Sequence, residues 1–119
     1  MNPLLFVAAA LAGGLGAVLR YVVDLGVSKI AGRRFPFGIL VINLTGSFAL
    51  GLLTAALPSE AFVLGAGLLG GYTTFSTAML DTVALWGNGE RTASAVNAVG
   101  MLLLGLLAAG LGLALGSAL

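Results

Sequence analysis

Four apolar stretches, each about as long as a membrane-spanning helix requires, follow one another with only short polar breaks between them. They cover residues 4–27, 36–57, 61–86 and 92–116, and a hydrocarbon core needs roughly 20 apolar residues per helical span. A soluble domain cannot hide this much apolar surface. Of 119 residues, 60% are hydrophobic and only 8% charged, which leaves too little polar surface to face water. The sequence therefore predicts an all-α integral membrane protein, one domain over residues 1–119 with four transmembrane helices and the lipid bilayer as its solvent. No segment between the spans is long enough to fold alone, which argues against a soluble catalytic or nucleic-acid-binding module. A formal net charge of +1 implies no polyanionic partner.

Histidine and cysteine are both absent, so disulfides, imidazole bases, cysteine nucleophiles and the usual zinc sites are excluded. No enzyme reading has a nucleophile and base to stand on. The start, Met1-Asn2-Pro3, lacks the basic region of a signal peptide, and despite Ala8-Ala9-Ala10 the segment reads as a retained first span. Residues 28–34, basic and short, read as a loop, as do Pro58-Ser59-Glu60 and Gly87-Asn88-Gly89-Glu90-Arg91. Trp86 suits the interface between lipid and water.

Nineteen glycines would weaken soluble helices, but in lipid small residues let helix backbones approach closely. Gly67 with Gly71, Gly112 with Gly116, and Ala108 with Gly112 stand four apart and predict contact faces.

Polar groups inside a bilayer are costly unless they pair or line a wet cavity. Asn43, Ser47 and Thr54 share one helix face; they line a path, or they bond their own backbone and a neighbouring helix. The run Gly70-Gly71-Tyr72-Thr73-Thr74-Phe75-Ser76-Thr77 is a poor helix, because glycine loses backbone entropy and threonine rotamer freedom. It predicts a third helix broken over residues 70–74, near mid-membrane. The freed carbonyls can hold a small cation, while half-helix N-termini and hydroxyls can favour an anion. Phe75 either packs or presents its positive ring edge to an anion. Arg20 either attracts anions to a vestibule or snorkels to the headgroups.

Three motifs, Gly13-Gly14-Leu15-Gly16-Ala17-Val18-Leu19-Arg20-Tyr21, Val41-Ile42-Asn43-Leu44-Thr45-Gly46-Ser47-Phe48 and the glycine-threonine run above, resemble in this order the CrcB/Fluc fluoride channel family. The resemblance covers nearly the whole chain. It implies an antiparallel dimer in the bacterial plasma (inner) membrane that passes fluoride passively out of the cytoplasm and lowers its toxicity. It also implies Asn43 as a pore-lining amide, Phe75 as an aromatic facing the ion, Arg20 near the pore mouth, and Ser76 and Thr77 as supporting hydroxyls. Gly70 and Thr73 are implied as carbonyl ligands of a structural sodium ion at the dimer centre. A two-fold axis in the membrane plane would bring two breaks together, so that four carbonyls surround one cation.

The chain departs from the family pattern where a second phenylalanine is expected three residues after the first, since Ala78 stands there, and where a fourth-span serine aligns with Met101. Lys29, Arg33, Arg34 and Arg91 all fall on one predicted side, with Arg20 near it, and the other side carries no basic side chain. The positive-inside rule then predicts one orientation, with these loops cytoplasmic. An antiparallel homodimer needs both orientations, so a heterodimer with an oppositely oriented paralogue is the alternative partner. A small multidrug exporter would need a carboxylate within a span, whereas the acids lie in loops or toward span ends. A purely structural subunit of a larger complex explains the glycines but not the threonine, serine and phenylalanine cluster.

Overall fold

Asn2 begins the first helix: its side chain accepts the N–H of Leu4 at 2.9 Å, and Pro3 follows where its missing donor is harmless. In the computed structural model, which describes residues 2–119 and leaves Met1 outside the described residues, α1 is Pro3–Ala31 and α2 is Phe37–Ala56. A 3₁₀ turn, Pro58–Glu60, leads into a wide π-type helix, Ala61–Leu69, a single α-turn, α3, Gly70–Tyr72, and then α4, Ser76–Gly87. The last helix, α5, is Arg91–Ala118. Among the described residues four helical stretches, with Pro58–Gly87 counted as one, are long and apolar enough to cross a membrane.

Two expectations need correction. Residues 28–31 are not a loop: α1 continues to Ala31 and stops only at Gly32, whose φ of 79° ends the spiral while its N–H still bonds to the Ser28 carbonyl at 2.9 Å. Lys29 in that last turn faces the negative end of the helix dipole. The third helix is broken, but later than expected. Gly70–Tyr72 remains helical and the departure comes at Thr73, with φ −79° and ψ 160°, through Phe75. The glycines tolerate the break without being its location.

The predicted glycine faces are contact faces. A methyl group at Gly67 would crowd Ala9, and one at Gly71 would collide with the Gly13 carbonyl, so the wide helix and α3 lie directly on α1. Gly112 and Gly116 meet the backbone of Phe48 and Leu52 in the same way, joining α5 to α2. The bundle thus has two intimate pairs, α1 with residues 61–72 and α2 with α5, and α4 packs on α5 beyond the break. The small core gathers Ile39, Ile42, Ala78 and Met101. Leucine, valine and phenylalanine side chains cover the outside, as a protein in contact with acyl chains requires.

Candidate functional site

A continuous helix would give the Gly70 carbonyl the N–H of Thr74, and the Thr73 carbonyl the N–H of Thr77. Neither bond forms. The Thr74 N–H donates at 2.9 Å to Asn43 Oδ1, and the Thr77 N–H donates at 3.2 Å to Thr74 Oγ1. Two side chains have taken the two amides, and the two carbonyls are released. Asn43 closes the clamp from its other end, where Nδ2 donates to the Thr74 carbonyl at 2.8 Å. Its second hydrogen faces the Met101 sulfur at 3.1 Å, and a thioether is only a weak acceptor.

Arg20 reaches the break from α1. Its Nη1 lies 3.4 Å from the Thr73 carbonyl, a long bond that places positive charge beside a freed oxygen. Tyr72, on α3, shares a 2.9 Å hydrogen bond with Thr45 of α2, and the Thr73 hydroxyl bonds back to Leu69 at 2.9 Å. The unwound segment is therefore held by Asn43 of α2 and Arg20 of α1, with Tyr72 anchored to α2 just before it.

A groove of about 740 Å³ runs beside the break, and Asn43, Ser47, Gly70, Thr73, Phe75 and Met101 are among its walls. Phe75 is 72% exposed, so its ring stands on the open side of the groove rather than in the core. Arg20, Ser76 and Thr77 do not line it. Ser76 is exposed and Thr77 accepts the Thr74 hydroxyl at 3.2 Å, so both organise the first turn of α4. Thr54 stays on the face of α2 that carries Asn43 and Ser47, but it bonds its own helix at Leu50, 2.7 Å away, and is not among the groove's walls.

A family model described as CrcB-like protein, Camphor Resistance (CrcB), matches residues 7–113. The chain belongs to the CrcB family. A protein of Leifsonia xyli subsp. xyli named fluoride-specific ion channel FluC 1 is 50% identical over 122 residues, covering 98% of this chain and 89% of its own. Fluoride-specific ion channel FluC 2 of Mycobacterium bovis is 44% identical over 110 residues, covering 91% and 87%. Fluoride-specific ion channel FluC of Rhizobium meliloti is 43% identical over 122 residues, covering 97% and 96%. The family is one of ion channels, not enzymes, and four spans make this member a multi-pass membrane protein.

Within that family frame the two departures have physical surroundings. Ala78 is 1% exposed and belongs to the core with Ile39, Ile42 and Met101, so a phenylalanine there would have to displace them. Met101 is equally a core residue, and its sulfur stands where Asn43 has a hydrogen to give. Sequence reasoning counted Thr74 only as part of the break and missed that it caps α4. The signal was available: a threonine three residues before another backbone donor at the start of a helix is a capping position. Asn97, buried beneath α4, donates to Thr82 Oγ1 at 2.9 Å, and its own Oδ1 has no partner among the described residues.

Proposed function

We propose that this chain is the subunit of a fluoride channel that carries the ion passively out of the cytoplasm across the bacterial plasma membrane, and so lowers fluoride toxicity. The observation that carries the reading is the Asn43–Thr74 clamp beside a groove edged by Phe75, in a chain whose relatives are named fluoride-specific channels. Fluoride is small and strongly hydrated, so its passage requires donors that replace water. The Asn43 hydrogen facing Met101 is such a donor: fluoride outcompetes a thioether for it, while the rest of the amide stays fixed on Thr74. The positive edge of the Phe75 ring faces the ion from the open side, and Arg20 raises anion concentration nearby.

The working unit is an antiparallel dimer, with the open groove turned toward the second subunit. A sodium ion at its centre is held by the carbonyls of Gly70 and Thr73 from each chain. The donor set fits, because these are two oxygens whose helical partners are diverted to Asn43 and Thr74, and the long 3.4 Å contact of Arg20 Nη1 on the Thr73 oxygen would have to yield to the ion. Bound sodium supplies a fixed positive charge between the halves.

One observation favours a heterodimer. The Arg34–Glu90 ion pair, 3.4 Å long, draws the two basic loops to the same end of the bundle, so Lys29, Arg33, Arg34 and Arg91 all favour one orientation. Fluoride efflux from proteoliposomes, followed with an electrode and compared with chloride, tests both readings. Efflux from this chain alone supports the homodimer, and efflux only with a co-reconstituted paralogue supports the heterodimer. No fluoride efflux under either condition overturns the proposed function.

A further inference from the structure

A second groove, of about 380 Å³, opens between the start of α2 and the first half of α5, with walls from Phe35, Phe37, Leu40, Val96, Asn97, Gly100 and Leu104; Asn97, the one polar residue among them, is 1% exposed, so the open surface is apolar. At 100° per residue, Val96, Gly100 and Leu104 lie on the side of α5 opposite to Ala98, Met101, Gly105 and Ala109, which face the larger groove. A subunit docked over Phe75 therefore leaves this second groove facing the bilayer.

Its upper end is basic. Arg33 and Arg34 directly precede Phe35 in the chain, Arg34 is tied to Glu90 at 3.4 Å, and Arg91, the first residue of α5, lies 4.6 Å from the centre of the Trp86 ring. An interfacial tryptophan sets this level at the headgroups. Four cations, Lys29 in the last turn of α1, Arg33 and Arg34 in the loop and Arg91 at the start of α5, belong to this end, and Glu90 is the carboxylate between α4 and α5. An apolar slot at acyl-chain depth beneath a cationic rim at phosphate depth matches one chemical class.

We propose that this groove is a binding site for an anionic phospholipid, one acyl chain lying along Phe37, Gly100 and Leu104 and the phosphate engaged by Arg33 and Arg34. The site is independent of what the larger groove conducts. Neutral lipids share the acyl chain but not the charge, so preference between headgroups is the defining property. Each cation near the surface is worth roughly a fivefold gain in affinity for anionic lipid.

Trp86 is the only tryptophan, which makes its fluorescence a local reporter. The purified full chain in detergent micelles is titrated with brominated phosphatidylglycerol and, separately, with brominated phosphatidylcholine. Phosphatidylglycerol is expected to quench with at least about fivefold higher affinity. Arg33→Gln/Arg34→Gln should bring the two lipids close to parity. Gly100→Leu fills the slot without touching the charges, since nothing lies within 4 Å of a side chain begun there, and it should abolish the preference too. Gly110→Leu, equally open but away from the groove, should keep it, and an unchanged elution volume in size-exclusion chromatography shows that each variant is folded. Equal quenching by both lipids, no quenching by either because a second copy covers the groove, or a preference that survives either variant overturns the proposal.

Discussion

The side-chain amide of Asn43 grips both main-chain groups of Thr74, accepting its N–H at 2.9 Å and donating to its carbonyl at 2.8 Å. Main-chain groups that have left their helix inside a bilayer have no water to turn to, and these two, from successive peptide units, have found an amide of matching polarity on the neighbouring helix.

Asn43→Leu should therefore leave both groups unpaired and destabilise the protein by about 1–3 kcal/mol per group, read as a lower midpoint in detergent unfolding. Asn43→Asp keeps the acceptor for the Thr74 N–H but sets a carboxylate oxygen against the Thr74 carbonyl and puts negative charge in the ion path. Fluoride efflux should fall at least about tenfold, the factor that ~1.4 kcal/mol gives. Wild-type efflux rates in Asn43→Asp would show that the clamp is dispensable.

Met101 offers a milder test. Met101→Leu preserves volume and should cost less than about 1.5 kcal/mol of stability, with the freed Asn43 hydrogen still available to the ion. Met101→Ser sets a hydroxyl, a stronger acceptor than a thioether, against the same Asn43 hydrogen and should lower efflux relative to Met101→Leu. Electrode recordings on matched proteoliposomes would decide it, and an equal or higher rate in the serine variant would contradict the assigned donor.

Two glycine substitutions should behave oppositely. Gly71→Ala drives a methyl into the Gly13 carbonyl, and overpacking of this kind costs typically about 1–3 kcal/mol. Gly14→Ala meets nothing within 4 Å and should be neutral or slightly stabilising, because alanine is the better helix former. Unfolding midpoints measured side by side would show whether the backbone contact of α1 with α3 is as close as described.

The Arg34–Glu90 pair joins a 92% exposed side chain to one that is 34% exposed. Exposed pairs contribute roughly 0–1 kcal/mol, so Glu90→Gln should barely move the unfolding midpoint. A loss above 1 kcal/mol would require a partner for Glu90 beyond Arg34.

Orientation is testable because the chain has no cysteine. Single cysteines at Ser59 and Asn88, labelled in intact cells with an impermeant maleimide, should react from outside at Ser59 and be protected at Asn88. Labelling at both positions in comparable yield would show dual orientation and remove the argument for an oppositely oriented paralogue.

The number and order of the helices were legible because each span is a long apolar run bounded by charge, turn residues or proline. The glycine faces at Gly67, Gly71, Gly112 and Gly116 were legible for a related reason: four-residue spacing forces one side of a helix. The exact site of unwinding was not. Composition marked Gly70 and Gly71 as the weak point, yet both stay helical, with Gly71 fitted against Gly13 of α1. The break falls instead where the side chains of Asn43 and Thr74 can replace the lost helical bonds, and Asn43 lies 31 residues from Thr74. A pairing over that distance leaves no periodic trace in the sequence. The end of α1 was misjudged for the opposite reason, since charge at residues 29, 33 and 34 looked like loop while helix geometry persisted to Gly32.

Because the clamp is supplied by α2, the third span cannot be complete when it first enters the bilayer. The Thr74 amide finds its acceptor only once Asn43 is alongside, and the turn at Pro58–Glu60 is short enough to deliver the two helices as a hairpin. The second and third spans are therefore expected to settle in the bilayer as one unit, since a third span held apart from Asn43 keeps the open Thr74 backbone groups among acyl chains.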